Sequence, residues 1–252
     1  MIAYHNKPEI KAAILAQLQA HHDADELVKG QYWQNGKGCA VGCTIHGRNH
    51  ADYEILFGIP QILAQLEDRI FEGLPNEKAM EWPLRFMRAI NPGHDLSLIG
   101  WKFLHWILTD EIVNPGINHP LVKDVVAQTA QVICAIAKGE PLNESAARDV
   151  ASAARGVASA ARGAESGAAW SAAWSAESAA WSAASAESSE RGVASAASAA
   201  WSAERGAESA ESAESAAWSA ESAAWSAEWS AASAAYTLMA DKLISLIEEA
   251  NS

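Results

Sequence analysis

Apolar side chains recur every three to four positions through the first half of the chain, the period of a helix with one buried face. Ile10, Ala13, Ile14, Leu18 and Ala20 trace such a face behind Asn6-Lys7-Pro8. Pro8 suits a first helical turn, and Gly30 is the expected stop. The segment 32–38 holds Asn35-Gly36 and Lys37-Gly38 and reads as a loop or a short hairpin. A short helix is expected over 39–46, ended by Gly47, and another over about 50–57. Pro60 opens the next, with Ile62, Leu63, Leu66, Ile70 and Phe71 on its buried side. Further helices fit 76–90, 95–109 and 120–137, with Pro83 expected at a kink or a helix start. Strand-like alternation is almost absent. Residues 1–140 therefore read as a compact all-α domain of about seven short helices.

The texture changes after Pro141, the last proline. Ala and Ser fill 60 of the 91 positions between 145 and 235. Alanine is the best helix former, Glu and Arg are good ones, and no proline interrupts them. A flexible linker would instead be rich in Gly, Pro and Ser and would lack the seven tryptophans found here. Residues 141–252 are expected to form long Ala/Ser/Glu/Trp helices with a heptad-like period and an amphipathic end. Ser145, Ser152, Ser159 and Ser166 recur every seven residues, as do Arg148, Arg155 and Arg162. Trp170, Trp174 and Trp181 step by four and seven, and Trp218, Trp225 and Trp229 by seven and four. Such steps put side chains on one stripe of a helix, as in coiled coils. The stripe continues through Tyr236, Met239, Leu243 and Leu246.

The tryptophan positions are also symmetric. The pairs 170/229, 174/225 and 181/218 share one midpoint between Ala199 and Ala200. An antiparallel partner crossing there sets Trp beside Trp at three levels and Arg191 opposite Glu208. With Trp201 near the crossing, these seven rings form the expected interface, and the small residues between them let backbones approach closely. Two arrangements satisfy the register: an antiparallel homodimer, and an intrachain hairpin that turns between Gly192 and Gly206. A straight helix over 145–235 would be about 137 Å long. Folding back into a hairpin or small bundle is therefore expected, with bends at Gly163, Gly167, Gly192 and Gly206.

Charge narrows the function classes. The formal net charge is −13, and most of the acidic excess lies in the repeat. A surface that tracks phosphates needs clustered Lys and Arg, so nucleic acid is not an expected partner. Acidic side chains on the repeat also repel anionic lipid, and no uninterrupted apolar window of about twenty residues exists, so no membrane association is expected. Three cysteines, Cys39, Cys43 and Cys134, make no disulfide framework. No leader of basic and then apolar residues precedes the first helix, and a reducing cytoplasm is the expected setting.

The densest chemistry runs from Gly38 to His50. Cys39, Cys43, His46 and His50 follow steps of four, three and four, within about 60° of one another on a helix. Two thiolates and two imidazoles suit zinc. On an unbroken helix Cys39 and His50 would be about 16.5 Å apart, too far for one ion. Gly47 must then break the helix and turn His50 back, or His21 or His22 must supply the fourth donor. Two other readings stand beside this one. Free cysteines are commonly small buried residues. Alternatively, Cys39 at a helix start beside Lys37 is an activated nucleophile, with His46 or His50 as base and Asp52 or Glu54 orienting it. His21-His22-Asp23 with Asp25 and Glu26 reads as a solvated helix end or a cation site. Trp101, Phe103, Leu104, Trp106 and Ile107 read as core, with His105 among them.

The segment Gly36-Lys37-Gly38-Cys39-Ala40-Val41-Gly42-Cys43-Thr44-Ile45-His46, with Tyr53-Glu54 and Leu63 to Pro75 after it, resembles a group of uncharacterised bacterial and phage proteins. Their C-terminal repeats are similarly rich in alanine and punctuated by aromatics. The resemblance implies a bacterial or prophage setting and no activity. The expected function is non-enzymatic binding or assembly through the tryptophan stripe, by self-pairing or with a helical partner. The alternatives are an enzyme centred on Cys39 or Cys43, and a phage–host conflict protein that sequesters its target.

Overall fold

The computed structural model describes residues 1–114, 117–120 and 122–141, single positions between 145 and 153, and 218–250, with side chains in that last stretch from Ser233 onward. Seven helices occupy the described residues up to 141. They are α1 (Pro8–Asp23), α2 (Ala40–Ile45), α3 (Asp52–Phe57), α4 (Gln61–Gly73), α5 (Asn76–Ala89), α6 (Ile99–Ile107) and α7 (Lys123–Ala137). An eighth, α8, runs unbroken over Trp218–Ala250. The chain is thus mostly helical. The expected bends at Gly163, Gly167, Gly192 and Gly206 lie outside the described residues, as do the fold-back and Trp170, Trp174, Trp181 and Trp201.

Local signals set most boundaries. Pro8 sits in the first turn of α1, and Pro60 and Pro75 immediately precede α4 and α5. α1 stops at Asp23, earlier than Gly30. Asp25 adopts a left-handed backbone (φ 53°), and Glu26 N–H bonds back to the His21 carbonyl. The chain then joins the hairpin of β1 (Trp33–Gln34) and β2 (Lys37–Gly38), with Val28 N–H on the Gly38 carbonyl. Asn35 (φ 55°) and Gly36 (φ 81°) form the two-residue turn, the left-handed pair that an Asn-Gly hairpin requires. Pro83 does not start a helix: it lies inside α5. The missing N–H bond costs the helix stability, which the burial of Trp82, Leu84, Phe86 and Met87 around it offsets.

Two compact units divide the chain. The first combines Met1–Gly100 with Ala240–Ser252, so the change of composition near residue 140 is not where the units part. Its core holds Leu18, Tyr53, Leu63, Leu66, Ile70, Phe71, Trp82 and Phe86, all essentially without solvent contact. The final turns of α8 belong to this core, with Leu243 and Ile247 fully buried. Arg85 on α5 meets Asp241 at 2.7 Å, and His94 Nδ1 lies 3.0 Å from the Ala250 carbonyl oxygen. The second unit spans Trp101–Met239. Within its described residues Phe103, Leu104 and Ile107 of α6 are buried, as expected, while Trp101 and Trp106 keep partial exposure; Val126 and Ile133 of α7 are buried too. Among the described residues no helix is long and apolar enough to cross a membrane.

Inside the first unit, α4 carries a buried acid. Glu67 Oε2 accepts a 2.6 Å hydrogen bond from the Tyr53 hydroxyl, while Glu67 Oε1 is enclosed and takes none. Trp82 Nε1 donates to the Glu67 carbonyl oxygen at 2.9 Å. Burial drives the Glu67 carboxyl well above the usual range, against the Tyr53 bond, which lowers it.

Candidate metal centre

The GKGCAVGC segment is a piece of tight backbone architecture. Gly42, in the first turn of α2, lies against the hairpin: a Cβ there would meet the Tyr32 carbonyl oxygen at 1.4 Å. Cys39 N–H donates into the same stretch, to the Gln31 carbonyl at 2.6 Å. Cys39 caps α2, its Sγ accepting from Gly42 N–H at 3.4 Å. The thiol is 1 % exposed. Cys43, one turn on, points its Sγ to the Gly38 carbonyl oxygen at 3.3 Å and is fully buried.

α4 faces this corner with Asp68 and Glu72, four residues apart and so on one side of the helix. One oxygen from each carboxylate and the Cys39 sulfur lie within 4.8 Å of one another. This buried Cys/Asp/Glu group is able to hold a metal ion, by donor type and by spacing. His50 Nε2 approaches Asp68 Oδ2 at 3.2 Å, and the Tyr32 ring packs edge-on against His50 with centroids 5.7 Å apart. The second oxygen, Asp68 Oδ1, is enclosed and without a hydrogen-bond partner. Both oxygens of Glu72 accept from Gly30 N–H, at 3.0 and 2.9 Å.

The electrostatics keep the thiol neutral. Burial, and then the charge of Asp68, push Cys39 far above the ordinary thiol range, and the Gly42 amide offsets only part of this. Burial pushes Cys43 up to about 12. Glu72 is raised by burial first, with Asp68 adding to it, and the Gly30 amide, Lys29 and Arg69 opposing. Tyr32 rises for the same reasons, burial and then Asp68. An activated nucleophile needs the opposite setting, a depressed thiol beside a cation. Asp52 and Glu54 are engaged elsewhere, with Asn49 and with the Gln61 N–H.

The four residues Cys39, Cys43, His46 and His50 do not converge; the metal-ligating group that forms takes only Cys39 from them. α2 ends at Ile45, with His46 left-handed (φ 49°), and this break sends the two histidines to different places. His50 joins Asp68, behind Cys39. His46 stacks on Trp33 (4.3 Å between centroids, 20° between planes) and meets His21, with the two Nε2 atoms 2.9 Å apart. Glu26 Oε2 holds His21 Nδ1 at 2.6 Å, so His21 donates from Nδ1 and accepts at Nε2 from His46. The two rings meet edge-on, with centroids 5.1 Å apart and planes at 83°. Burial, and then His21, lower His46 below the ordinary imidazole value. His22 pairs with its neighbour Asp23.

Asp68, Glu72 and Tyr32 were invisible as site residues from local spacing, whereas Glu26 stood beside His21 among the residues read as a helix end or a cation site. The i, i+4 acidic pair on the 61–73 helix was the one signal available, and exposed acidic pairs are common on helices. A groove of about 830 Å³ lies elsewhere in the first unit, with Arg85, Arg88, Asp241 and Glu248 among its walls, away from the Cys39 corner. No family model matches the chain, and neither does any curated protein or solved structure.

Proposed function

We propose that the chain is a non-enzymatic binding and assembly protein whose tryptophan-bearing repeat pairs antiparallel with a second copy of itself. The observation that carries this reading is the unbroken helix α8. On one continuous helix, Trp218, Trp225, Trp229, Tyr236, Met239, Leu243 and Leu246 fall on a single seam of three- and four-residue steps. The described end of that seam is buried within the chain's own fold, with Tyr236 at 1 % and Met239 at 0 % exposure, so the proposed pairing falls to the tryptophan positions. The tryptophan end continues the same phase into the symmetric register centred on Ala199 and Ala200. Aromatic rings separated by alanine and serine supply large contact area at low cost in side-chain entropy.

In the same reading the helical domain is held by one Zn²⁺, the ion that a cysteine among nitrogen and oxygen donors selects. The dimer is tested by native mass spectrometry and light scattering of the full chain and of Trp174→Ala/Trp225→Ala. The expected result is a dimer that the double substitution weakens by about 2 kcal/mol or more per tryptophan, the range of an interface hot spot. A monomeric full chain, or a dimer unmoved by the two substitutions, overturns it.

A further inference from the structure

Three features of the Cys39 corner point to a cation. α4 presents two like charges four residues apart, an arrangement that weakens a helix rather than supporting it. Both face a thiol that is 1 % exposed. Asp68 keeps one oxygen, Oδ1, enclosed and without a hydrogen bond, although leaving a buried carboxylate oxygen bare is costly. A bound cation joins the two carboxylates and ligates the sulfur, and it offsets their mutual repulsion.

We infer that a thiophilic divalent ion, zinc, binds at Cys39 Sγ, Asp68 and Glu72, with His50 orienting Asp68 from behind. This rests on the reading of the helical domain as metal-held, and it assigns the ligands. Zinc bonds of about 2.3 Å to sulfur and about 2.0–2.2 Å to oxygen set tetrahedral ligand atoms about 3.4–3.6 Å apart. The three donors already lie within 4.8 Å, so side-chain adjustments of about an ångström close the site. Binding removes the Cys39 S–H proton to solvent, leaving one thiolate and two carboxylates around a dication. The His50 contact on Asp68 Oδ2 is the outer support that metal ligands ordinarily carry. The site also joins the N-terminus of α2 to the C-terminal half of α4.

The test strips the full chain with chelator and titrates it with Co²⁺ and then Zn²⁺. It follows the thiolate-to-cobalt charge-transfer absorption and the metal mass by native mass spectrometry, with circular dichroism confirming the fold. One ion per chain with a charge-transfer band is expected. The band should vanish in Cys39→Ser, and affinity should fall at least tenfold in the half-exposed variant Glu72→Gln. His50→Ala should weaken binding on the order of 10–100-fold, while His46→Ala leaves it unchanged. A band that survives Glu72→Gln at full affinity, or disappears in His46→Ala, overturns the ligand assignment and leaves a metal-held domain standing. Failure to bind either ion overturns both.

Discussion

Burial in the fold favours the protonated form of the Glu67 carboxyl. Its pKa in the folded chain lies above the unfolded value, so the native state binds the proton more tightly. The sign follows: its stabilising contribution is full below about pH 4.3 and is lost as pH rises through the folded value. Replacing the acid by its neutral isostere removes that loss while Tyr53 can still donate. Glu67→Gln should therefore raise the melting temperature more at pH 8 than at pH 5, read by thermal denaturation at both. An equal shift at the two pH values would mean that Glu67 is ionised in the native state. None of this was legible in the sequence, where Glu67 is one of several acids between apolar positions. Its burial depends on Tyr53 and Trp82, fourteen and fifteen residues away on other helices.

The α2 corner shows why some elements could be read from sequence and others only in part. Asn35-Gly36 announced the hairpin, and Gly47 announced a break after the Cys/His run. What spacing could not convey is that α2 lasts only six residues and ends in a left-handed histidine. A longer helix would have kept His46 and His50 on the Cys39 stripe. The short one separates them, and Asp68 and Glu72 arrive from a helix some thirty residues on. The glycines report the same corner from the backbone side. Gly42→Ala drives a Cβ into the Tyr32 carbonyl, a backbone atom that cannot turn aside, and should cost about 3 kcal/mol, the upper end of overpacking penalties. Gly47→Ala, whose Cβ would meet nothing closer than 3.6 Å, should cost far less. Urea unfolding of the two variants compares them, and equal midpoints would contradict the close approach.

Composition drew one boundary near residue 140, yet the first compact unit takes its last helical turns from the other end of the chain. Leu243, Ile244, Leu246 and Ile247 are buried there. At about 1.5–3 kcal/mol for each large aliphatic side chain, their removal rivals a typical net stability of about 5–15 kcal/mol. A chain lacking 240–252 should therefore unfold at a much lower temperature, or lose cooperative melting, even though residues 1–100 are intact. An unchanged melting curve would show that unit to be self-sufficient. The exposed Arg85–Asp241 pair contributes little energy and chiefly fixes how α8 seats on α5.

Because the same unit owns both residue 100 and residue 240, everything between them is, topologically, an insertion with two anchored ends. Lengthening such an insertion is cheap. Even counted as a flexible loop, a doubling costs only about 0.6 kcal/mol in closure entropy. A seven-residue gain or loss also preserves the phase in which the stripe enters α8. A change of repeat length in steps of seven residues therefore leaves the anchors at residues 100 and 240 where they are.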